Sequence, residues 1–347
     1  MFPVEFPLRV LRRRANESDW VLDPFCGRGT TNYAARSLGL PSVGIDSSRV
    51  AAAITQGKLA NTRPTAIMSC AEKILKDSDL RTDVPTGEFW RWGFNETTLH
   101  DICKLRTALI LDCRSDRRKA LRAILLGALH GPVSRGVGYL SNQCTRTYAP
   151  KPGYAVRFWK TRGMSPPSVD VLKVVASRAQ RYYGAERYAL GFAFHGDSRD
   201  SATFERFGAI QFRWIVTSPP YYGMRTYVPD QWLRHWFVGG PPSVEYASPS
   251  QIAHSSPETF ANELYSVWSN AARVATPDAR LVVRFGGIAD REAEPVEILK
   301  ASLEGSPWLL ETIKPAGSAD RGRRQAFHFA GKLGRAREEY DAWAMLA

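Results

Sequence analysis

The sequence has few of the residues that build metal sites, disulfide frameworks or membrane spans. Its five cysteines form no CxxC pair and no cysteine–histidine cluster at zinc-ligand spacing. No run of about 18 apolar residues occurs, and the short apolar stretch at the amino terminus precedes its basic residues, the reverse of a secretory leader. These absences predict a cytoplasmic protein with no metal, no disulfide and no membrane span.

Acidic residues are outnumbered by basic ones. Asp and Glu total 34 against 47 Lys and Arg, which gives a formal net charge of +13. This balance favours a polyanionic partner, nucleic acid first, although a merely basic soluble protein has the same composition. The 347 residues, 44% of them hydrophobic, suffice for one large α/β domain with an inserted module.

Strand and helix patterns alternate near both ends of the chain. An apolar run at 19–25 leads through glycines into a helical stretch from about Thr30 to Leu38, and a second strand at 41–46 precedes another helix. Further strands are predicted at 188–197, 212–222 and 279–287, with a closing antiparallel hairpin at 308–317 and 323–333. This order predicts an α/β fold with a doubly wound, Rossmann-like sheet.

The middle of the chain has a different pattern. Residues 64–187 have apolar residues at helical spacing with many basic ones between them, and their centre is rich in Arg, Lys, Tyr, Gly and Pro. We therefore predict a catalytic domain formed by 1–63 and 188–347, and a mostly helical, basic insertion formed by 64–187.

The loop after the first strand has the composition of a ligand site. Doubly wound sheets bind nucleotides where the first strand meets the first helix. Glycines there let the backbone approach a ligand, an aspartate can accept from a ligand ammonium group, and threonines can cap the helix. The loop has neither GxGxxG nor a phosphate-loop lysine. The predicted cofactor residues of this loop are Asp23, Pro24, Phe25, Gly27, Gly29, Thr30 and Thr31.

Acids also end the next two strands. Asp46, followed by Ser47, is placed to accept the two ribose hydroxyls of an adenosyl cofactor, and its alternative role is that of a helix-capping acid. Asp197, followed by Ser198, could bond an adenine amine, with an exposed turn acid as the alternative. We predict cofactor contacts at all four positions.

A second loop, Ser218-Pro219-Pro220-Tyr221, follows a hydrophobic strand and fits a particular chemistry. An exocyclic base amine is a poor nucleophile, because its lone pair is delocalised into the ring. Acceptors such as Ser218 and the Pro219 carbonyl can draw it toward tetrahedral geometry while a methyl group is presented in line. The prolines fix the backbone, and Tyr221 can stack on a base turned out of a helix. The alternative is a proline-rich turn with incidental aromatics.

Together these loops resemble those of the DNA amino-methyltransferases. The residues from Asp23 to Thr31 look like the family's cofactor loop, and Ser218 to Tyr221 look like its catalytic loop in the serine form. The segment from Phe2 to Leu11 is similar to the one that flanks the methionine end of the cofactor, which adds Phe6 to the predicted cofactor contacts. The resemblance implies a class I methyltransferase fold and S-adenosylmethionine as cofactor.

The serine form of the catalytic loop implies a substrate. In the family it is associated mainly with N4 of cytosine, whereas Asp or Asn is associated mainly with N6 of adenine. The expected activity is therefore site-specific methylation of cytosine N4 in DNA with base flipping. An adenine-N6 enzyme, an RNA base-amine methyltransferase and a catalytically silent DNA-binding subunit are the alternatives.

The insertion corresponds to the family's target-recognition region, which implies contacts to double-stranded DNA. Cations can neutralise phosphates and aromatics can stack or wedge beside a flipped base, although a solvated basic face has the same composition. The predicted DNA-contacting residues are Arg135, Arg146, Tyr148, Lys151, Arg157 and Trp159, with Tyr222 and Arg225 after the catalytic loop. A cognate restriction endonuclease or defence system is a possible further partner.

Overall fold

The computed structural model describes residues 2–131, 138–144, 151–184, 189–223, 229–244, 252, 255–288, 293–318 and 336–347. The chain divides into two compact units. The first comprises Met1–Thr55, Arg187–Arg225 and Pro249–Ala347. The second comprises Gln56–Glu186 and Thr226–Ser248.

A mixed β-sheet forms the centre of the first unit. Its strands are β1 (Val21–Asp23), β2 (Ser42–Asp46), β3 (Gly191–His195), β4 (Phe212–Thr217), β5 (Ala275–Ile288), β6 (Trp308–Ser318) and β7 (Ala336–Leu346). Among the described residues they form one seven-stranded sheet in the order β3-β2-β1-β4-β5-β7-β6. β1 to β5 are mutually parallel, and β7 is antiparallel to both of its neighbours. The predicted α/β class is confirmed: this is the class I methyltransferase fold.

Both faces of the sheet are apolar, which is why the parallel strands read as continuous hydrophobic runs. On one face Leu22 and Ile215 pack with Trp268 in the larger core cluster. On the other face Val21 and Val216 pack in a smaller cluster. Alternate residues of the same strand therefore serve opposite faces, and each strand is fixed in register.

Helices cover both faces of the sheet. Those of the first unit are α1 (Glu5–Leu11), α2 (Thr30–Ser37), α10 (Ala202–Glu205), α12 (Pro257–Ala272) and α13 (Pro295–Leu303), and the unit boundary falls within α3 (Arg49–Leu59). α12 begins where Ser256 Oγ accepts from the Thr259 N–H at 3.1 Å, with Pro257 in the first turn. Within the described part of the chain, no helix is both long enough and apolar enough to cross a membrane.

The closing hairpin differs from the sequence prediction. Its first strand, β6, lies where it was predicted, but the strand that pairs with it is β7, whereas the predicted 323–333 lies outside the described residues. Three acids, Glu338, Glu339 and Asp341, disguise β7, because they cluster in the first half of a strand whose second half is mostly apolar. The carboxylates of Glu339 and Asp341 are buried, so the usual expectation that the charged residues of a strand face solvent is wrong here.

The second unit is helical in the part that the structure describes. Its helices are α4 (Pro64–Lys76), α5 (Glu88–Gly93), α6 (Glu96–Leu111), α7 (Asp116–Ala128), α8 (Pro152–Thr161), α9 (Val171–Tyr183) and α11 (Trp232–Phe237). Aromatic rings form much of its core: Trp90 lies 4.5 Å from Trp236 and 5.8 Å from Trp232 between ring centroids. The helical character agrees with the sequence pattern of 64–187.

The limits of the helical unit differ from those predicted. It begins at Gln56 rather than at residue 64, and it includes Thr226–Ser248, which the sequence analysis assigned to the catalytic domain. The physical reason is packing. Trp232 and Trp236 are each 2% exposed and pack against α5, so they are core residues and not surface aromatics.

Candidate cofactor and catalytic site

The carboxyl ends of three neighbouring strands bring the predicted loops together. Asp23 is the last residue of β1, Asp46 the last of β2 and Thr217 the last of β4. Because β1 pairs in parallel with both β2 and β4, all three residues lie at one edge of the sheet. This is the edge at which open α/β sheets bind ligands.

Asp23 is the buried acid at the centre of this edge. The Thr217 hydroxyl donates to its Oδ1 at 2.6 Å, and the Phe25 N–H donates to the same oxygen at 3.1 Å. Its Oδ2 is buried and accepts no hydrogen bond from the described residues. Burial raises the pKa of Asp23 to about 7, against the lowering effect of these two hydrogen bonds. A buried oxygen with an open acceptor position is what a ligand ammonium group requires.

Asp46 is held by backbone donors on both oxygens. The Gly27 N–H donates to Oδ2 at 2.8 Å and the Ser48 N–H donates to Oδ1 at 2.8 Å. The carboxylate thus ties β2 to the cofactor loop and also starts α3, so the capping role and the binding role coexist. Burial raises the pKa of Asp46 to about 6, although these two N–H groups lower it. Each oxygen keeps a second lone pair for a hydroxyl donor.

Gly29 is required by the shape of the loop. Its φ is +70°, in the left-handed region, and a Cβ there would lie 2.8 Å from two side-chain atoms of Thr55. Gly29 is also the residue before α2, whose first two residues, Thr30 and Thr31, are buried. Glycine therefore lets the loop turn tightly into the helix.

Asp197 is already engaged in an ion pair. The Arg199 guanidinium donates to both of its oxygens, at 3.0 Å and 2.6 Å for the closest contacts, and also donates to Glu263 at 2.8 Å. Burial would raise the pKa of Asp197, but the hydrogen bonds from Arg199 outweigh it, and the pKa is lowered. An adenine amine would therefore share Asp197 with Arg199.

The remaining predicted cofactor residues have structural contacts of their own. Ser198 Oγ donates to the Pro24 carbonyl at 2.7 Å, which joins the loop after β3 to the cofactor loop. The Ser47 carbonyl lies 3.1 Å from His195 Nε2. Phe25 lies edge-on to Trp268 with centroids 6.1 Å apart.

Phe6 is a core residue in this structure. It is 1% exposed and packs with Val10 and Val21 in the smaller core cluster. The Arg284 guanidinium lies 4.2 Å from its ring centroid, and Arg284 pairs through two hydrogen bonds with buried Asp341. A cation and the core therefore cover the Phe6 ring, and the predicted cofactor contact there stays a prediction.

In the catalytic loop, Tyr221 is fixed at both ends. Its hydroxyl donates to Glu339 Oε1 on β7 at 2.5 Å, and its ring is edge-on to Phe285 with centroids 5.8 Å apart. A Cβ on Gly286 would lie 3.2 Å from the Tyr221 ring, so a glycine at this position leaves the space that the ring occupies. Ser218 and Pro220 are partly exposed, and Pro219 is buried. Tyr222 packs edge-on against Phe260 at 5.6 Å, which gives it a core contact.

Three residues of this site were not predicted from the sequence. Thr217 donates to Asp23, Arg199 holds Asp197, and Glu339 accepts from Tyr221. The spacing of Asp197 and Arg199, two residues apart after a strand, could have suggested their pairing. Glu339 is 118 residues from Tyr221, and no local pattern could have found that contact.

The predicted DNA-contacting residues differ in their exposure. Lys151 and Arg157 are exposed on the helical unit. Trp159 is fully buried and donates through Nε1 to the Gln143 carbonyl at 2.9 Å, so it is a core residue and the expectation of a DNA contact there is corrected. Four predicted positions, Arg135, Arg146, Tyr148 and Arg225, lie outside the described residues.

Comparison with known families gives one match. The model of the family N6_N4_Mtase, described as DNA methylase, matches residues 1–57. The matched stretch contains the whole cofactor loop, β2 and Asp46. No curated protein matches the chain.

The solved structures to which the chain is similar include the following three. TrmN from Thermus thermophilus has 11% identity and a TM-score of 0.37, over 99% of this chain and 48% of its own, so the chain spans about half the length of TrmN. The rRNA methyltransferase aviRa from Streptomyces viridochromogenes has 10% identity and a TM-score of 0.36, over 99% of this chain and 84% of its own. A SAM-dependent methyltransferase from Methanosarcina mazei has 10% identity and a TM-score of 0.36, over 100% and 98%.

Proposed function

We propose that this protein is a site-specific DNA methyltransferase that acts on N4 of cytosine. The cofactor is S-adenosylmethionine, whose sulfonium methyl group passes to the amine nitrogen while that nitrogen loses a proton. The observation that supports the proposal best is the junction of the two loops: the Thr217 hydroxyl, directly before Ser218, donates to Asp23 of the cofactor loop. Donor and acceptor sites of a methyl group have to be adjacent in this way.

The acids of the site have separate roles toward the cofactor. Asp23 Oδ2 accepts from the ammonium group of the methionine portion, and Asp46 accepts from the ribose hydroxyls. Asp46 is preorganised for this by the Gly27 and Ser48 N–H groups. Because both acids are buried or half-buried, their hydrogen bonds are stronger than they would be in water.

The catalytic loop supplies acceptors and an aromatic surface toward the base. Ser218 and the Pro219 carbonyl accept from the exocyclic amine and orient its lone pair, and Tyr221 stacks on the flipped base. The hydrogen bond to Glu339 and the contacts with Phe285 and Gly286 keep the Tyr221 ring in one orientation. No step of this reaction requires a covalent enzyme intermediate.

The choice of substrate is supported by fewer observations. Ser218 favours cytosine over adenine through the family resemblance, and the net charge of +13 favours nucleic acid. DNA is favoured over RNA by the DNA methylase family model at residues 1–57. A restriction endonuclease or a defence system would be its natural partner.

Product analysis tests the proposal. Purified protein is incubated with labelled cofactor and unmodified DNA or RNA, and the digested nucleosides are identified by mass. We expect N4-methylcytosine from DNA. Methyladenine alone would replace the cytosine assignment by adenine N6, methylated nucleosides from RNA alone would overturn DNA, and no transfer to either would favour a silent DNA-binding subunit.

Two substitutions separate the roles of the loops. Ser218→Ala is expected to lower kcat by roughly 10- to 100-fold with little change in cofactor affinity, because it removes one acceptor for the amine. Asp46→Ala is expected to weaken cofactor binding by a similar factor, because it removes the ribose acceptor. Calorimetric cofactor affinities and single-turnover rates distinguish them, and equal effects of both variants on both quantities would contradict these roles.

Cofactor affinity and stability should depend on pH in opposite directions. The pKa of Asp23 rises from 3.8 to about 7 in the folded protein, so the folded state binds more protons than the unfolded state in that range. The contribution of Asp23 to folding stability therefore falls as the pH rises from about 4 to about 7. An ammonium ligand needs the ionised carboxylate, so cofactor affinity rises with pH up to about 7 and then levels off.

Asp23→Asn gives the matched control for this dependence, because the amide does not titrate. Urea unfolding of the cofactor-free protein and calorimetry at a series of pH values measure the two slopes. In the variant we expect both to flatten, apart from a remainder due to Asp46, whose pKa is raised to about 6. Slopes equal to those of the wild type would show that Asp23 is not the titrating group.

A further inference from the structure

The outer surface of α8, in the helical unit, presents planar and cationic side chains. The helix buries Ala155, Val156 and Trp159. The hydrogen bond from Trp159 Nε1 to the Gln143 carbonyl, at 2.9 Å, fixes which side of α8 faces the core. On the opposite side, at spacings of three and four, Lys151, Tyr154, Arg157 and Arg162 are exposed and Phe158 is half-buried.

Three of these side chains form a column of planar groups. The rings of Tyr154 and Phe158 are stacked, with centroids 6.2 Å apart and an interplanar angle of 28°. The Arg162 guanidinium lies 4.0 Å from the Phe158 ring centroid. Tyr154 is 37% exposed although an aromatic ring would be more stable in a core. We call Tyr154, Phe158 and Arg162 the α8 column.

The charge around the column is of one sign. Residues 151–163 contain four Lys and Arg residues and no Asp or Glu. Of these, Lys160 pairs with Glu88 of α5, while Lys151, Arg157 and Arg162 are exposed. An acidic peptide or a lipid surface would also meet positive charge here, but only a nucleic-acid strand carries a planar ring beside each of its negative charges.

We propose that the α8 column binds a nucleic-acid strand by stacking unpaired bases, while Lys151 and Arg157 neutralise its phosphates. Every base has a π face, so an aromatic ring or a guanidinium plane receives it without regard to sequence. A duplex offers phosphates to the cations but keeps its bases stacked on one another. The surface therefore fits a strand whose bases are unpaired. The inference rests on the proposed function only for the identification of the substrate as nucleic acid.

Binding of fluorescent oligodeoxynucleotides, without cofactor, tests the proposal on the full-length protein. The probes are a single strand of about 20 nucleotides, longer than a typical single-strand site, and the matching duplex. For Tyr154→Ala combined with Phe158→Ala we expect the Kd for the single strand to rise about tenfold, with a smaller rise for the duplex and an unchanged salt dependence. For Arg157→Gln we expect weaker binding of both probes and a salt slope that is smaller by about 0.7 for the single strand.

Two control variants make the result specific. Tyr265→Ala removes a tyrosine of the same exposed fraction, 37%, from α12, whose own residues include Glu258 and Glu263, and it should bind as the wild type does. Tyr154→Phe combined with Phe158→Tyr keeps the column and should restore single-strand affinity. If circular dichroism shows that the alanine pair does not fold, Arg162→Gln takes its place. We again expect a larger loss of affinity for the single strand than for the duplex.

The proposal is overturned if the alanine pair binds the single strand as tightly as the wild type. It is equally overturned if the affinities of the alanine pair for the single strand and for the duplex fall by the same factor. The same holds if the variant with the two rings exchanged binds the single strand as weakly as the alanine pair does. Because no methyl transfer is measured, a protein that binds through α8 but methylates nothing would refute the proposed function and keep this inference. A protein that methylates DNA, and whose α8 variants bind the single strand as tightly as the wild type does, would do the reverse.

Discussion

Asp23→Ala is expected to weaken S-adenosylmethionine binding by at least about 100-fold and to abolish methyl transfer at ordinary cofactor concentrations. Removing one partner of a buried charge pair typically costs about 2 to 5 kcal/mol, since the other charge is left unpaired. Asp23 also accepts from Thr217 and from the Phe25 N–H, so the alanine variant loses the geometry of the loop as well. Calorimetry for the cofactor and a labelled-methyl assay measure the two effects.

Asp200→Ala is a suitable control for this substitution. Asp200 is an exposed acid in the turn after β3, and its carboxylate accepts from the Ala202 N–H at 3.0 Å. Asp200→Ala and Asp23→Ala each remove one negative charge. If cofactor affinity falls as far in Asp200→Ala as in Asp23→Ala, the effect is one of general charge, and the role of Asp23 is contradicted.

Tyr221→Ala is expected to lower kcat by about 10- to 100-fold, because a base-stacking aromatic contributes roughly 1 to 3 kcal/mol. Cofactor affinity should change little, since Tyr221 belongs to the catalytic loop. Tyr221→Phe keeps the ring but loses the hydrogen bond to Glu339, so we expect a smaller fall. Single-turnover rates with saturating cofactor measure both.

The contact with Glu339 provides an internal check on Tyr221. If the hydroxyl acts only through Glu339, the effects of Tyr221→Phe and Glu339→Gln on kcat will not add in the double variant. Additive effects, or full activity in Tyr221→Ala, would contradict the role of the fixed ring. Melting temperatures of the wild type, Tyr221→Phe, Glu339→Gln and the double variant separate a loss of stability from a loss of rate.

Most of the fold follows from local patterns in the sequence. The apolar runs that became β1, β2 and β4 are buried on both faces, and such strands appear as continuous hydrophobic stretches. The acids that end β1 and β2 could be placed at one edge because parallel strands share a direction. β7 escaped prediction because its buried Glu339 and Asp341 are satisfied by Tyr221 and Arg284, which are distant in sequence.

The site was predictable to the extent that its residues are neighbours in the chain. The loop from Asp23 to Thr31 and the loop from Ser218 to Tyr221 were each visible as a motif. The Arg199 contact that occupies Asp197 is local and could have been suggested from their spacing. The buried state of Phe6 and Trp159, in contrast, depends on packing between separate elements. An aromatic residue looks the same in a sequence whether it lies in a core or faces a ligand.

The single hydrogen bond from Thr217 to Asp23 has a thermodynamic consequence. Thr217 leads directly into the loop that is proposed to hold the base, and Asp23 is proposed to hold the cofactor. If cofactor binding changes the geometry of that bond, the change reaches the position of Ser218. Linkage is reciprocal: whatever factor the bound cofactor adds to the affinity for the target base, the target base returns to the affinity for the cofactor.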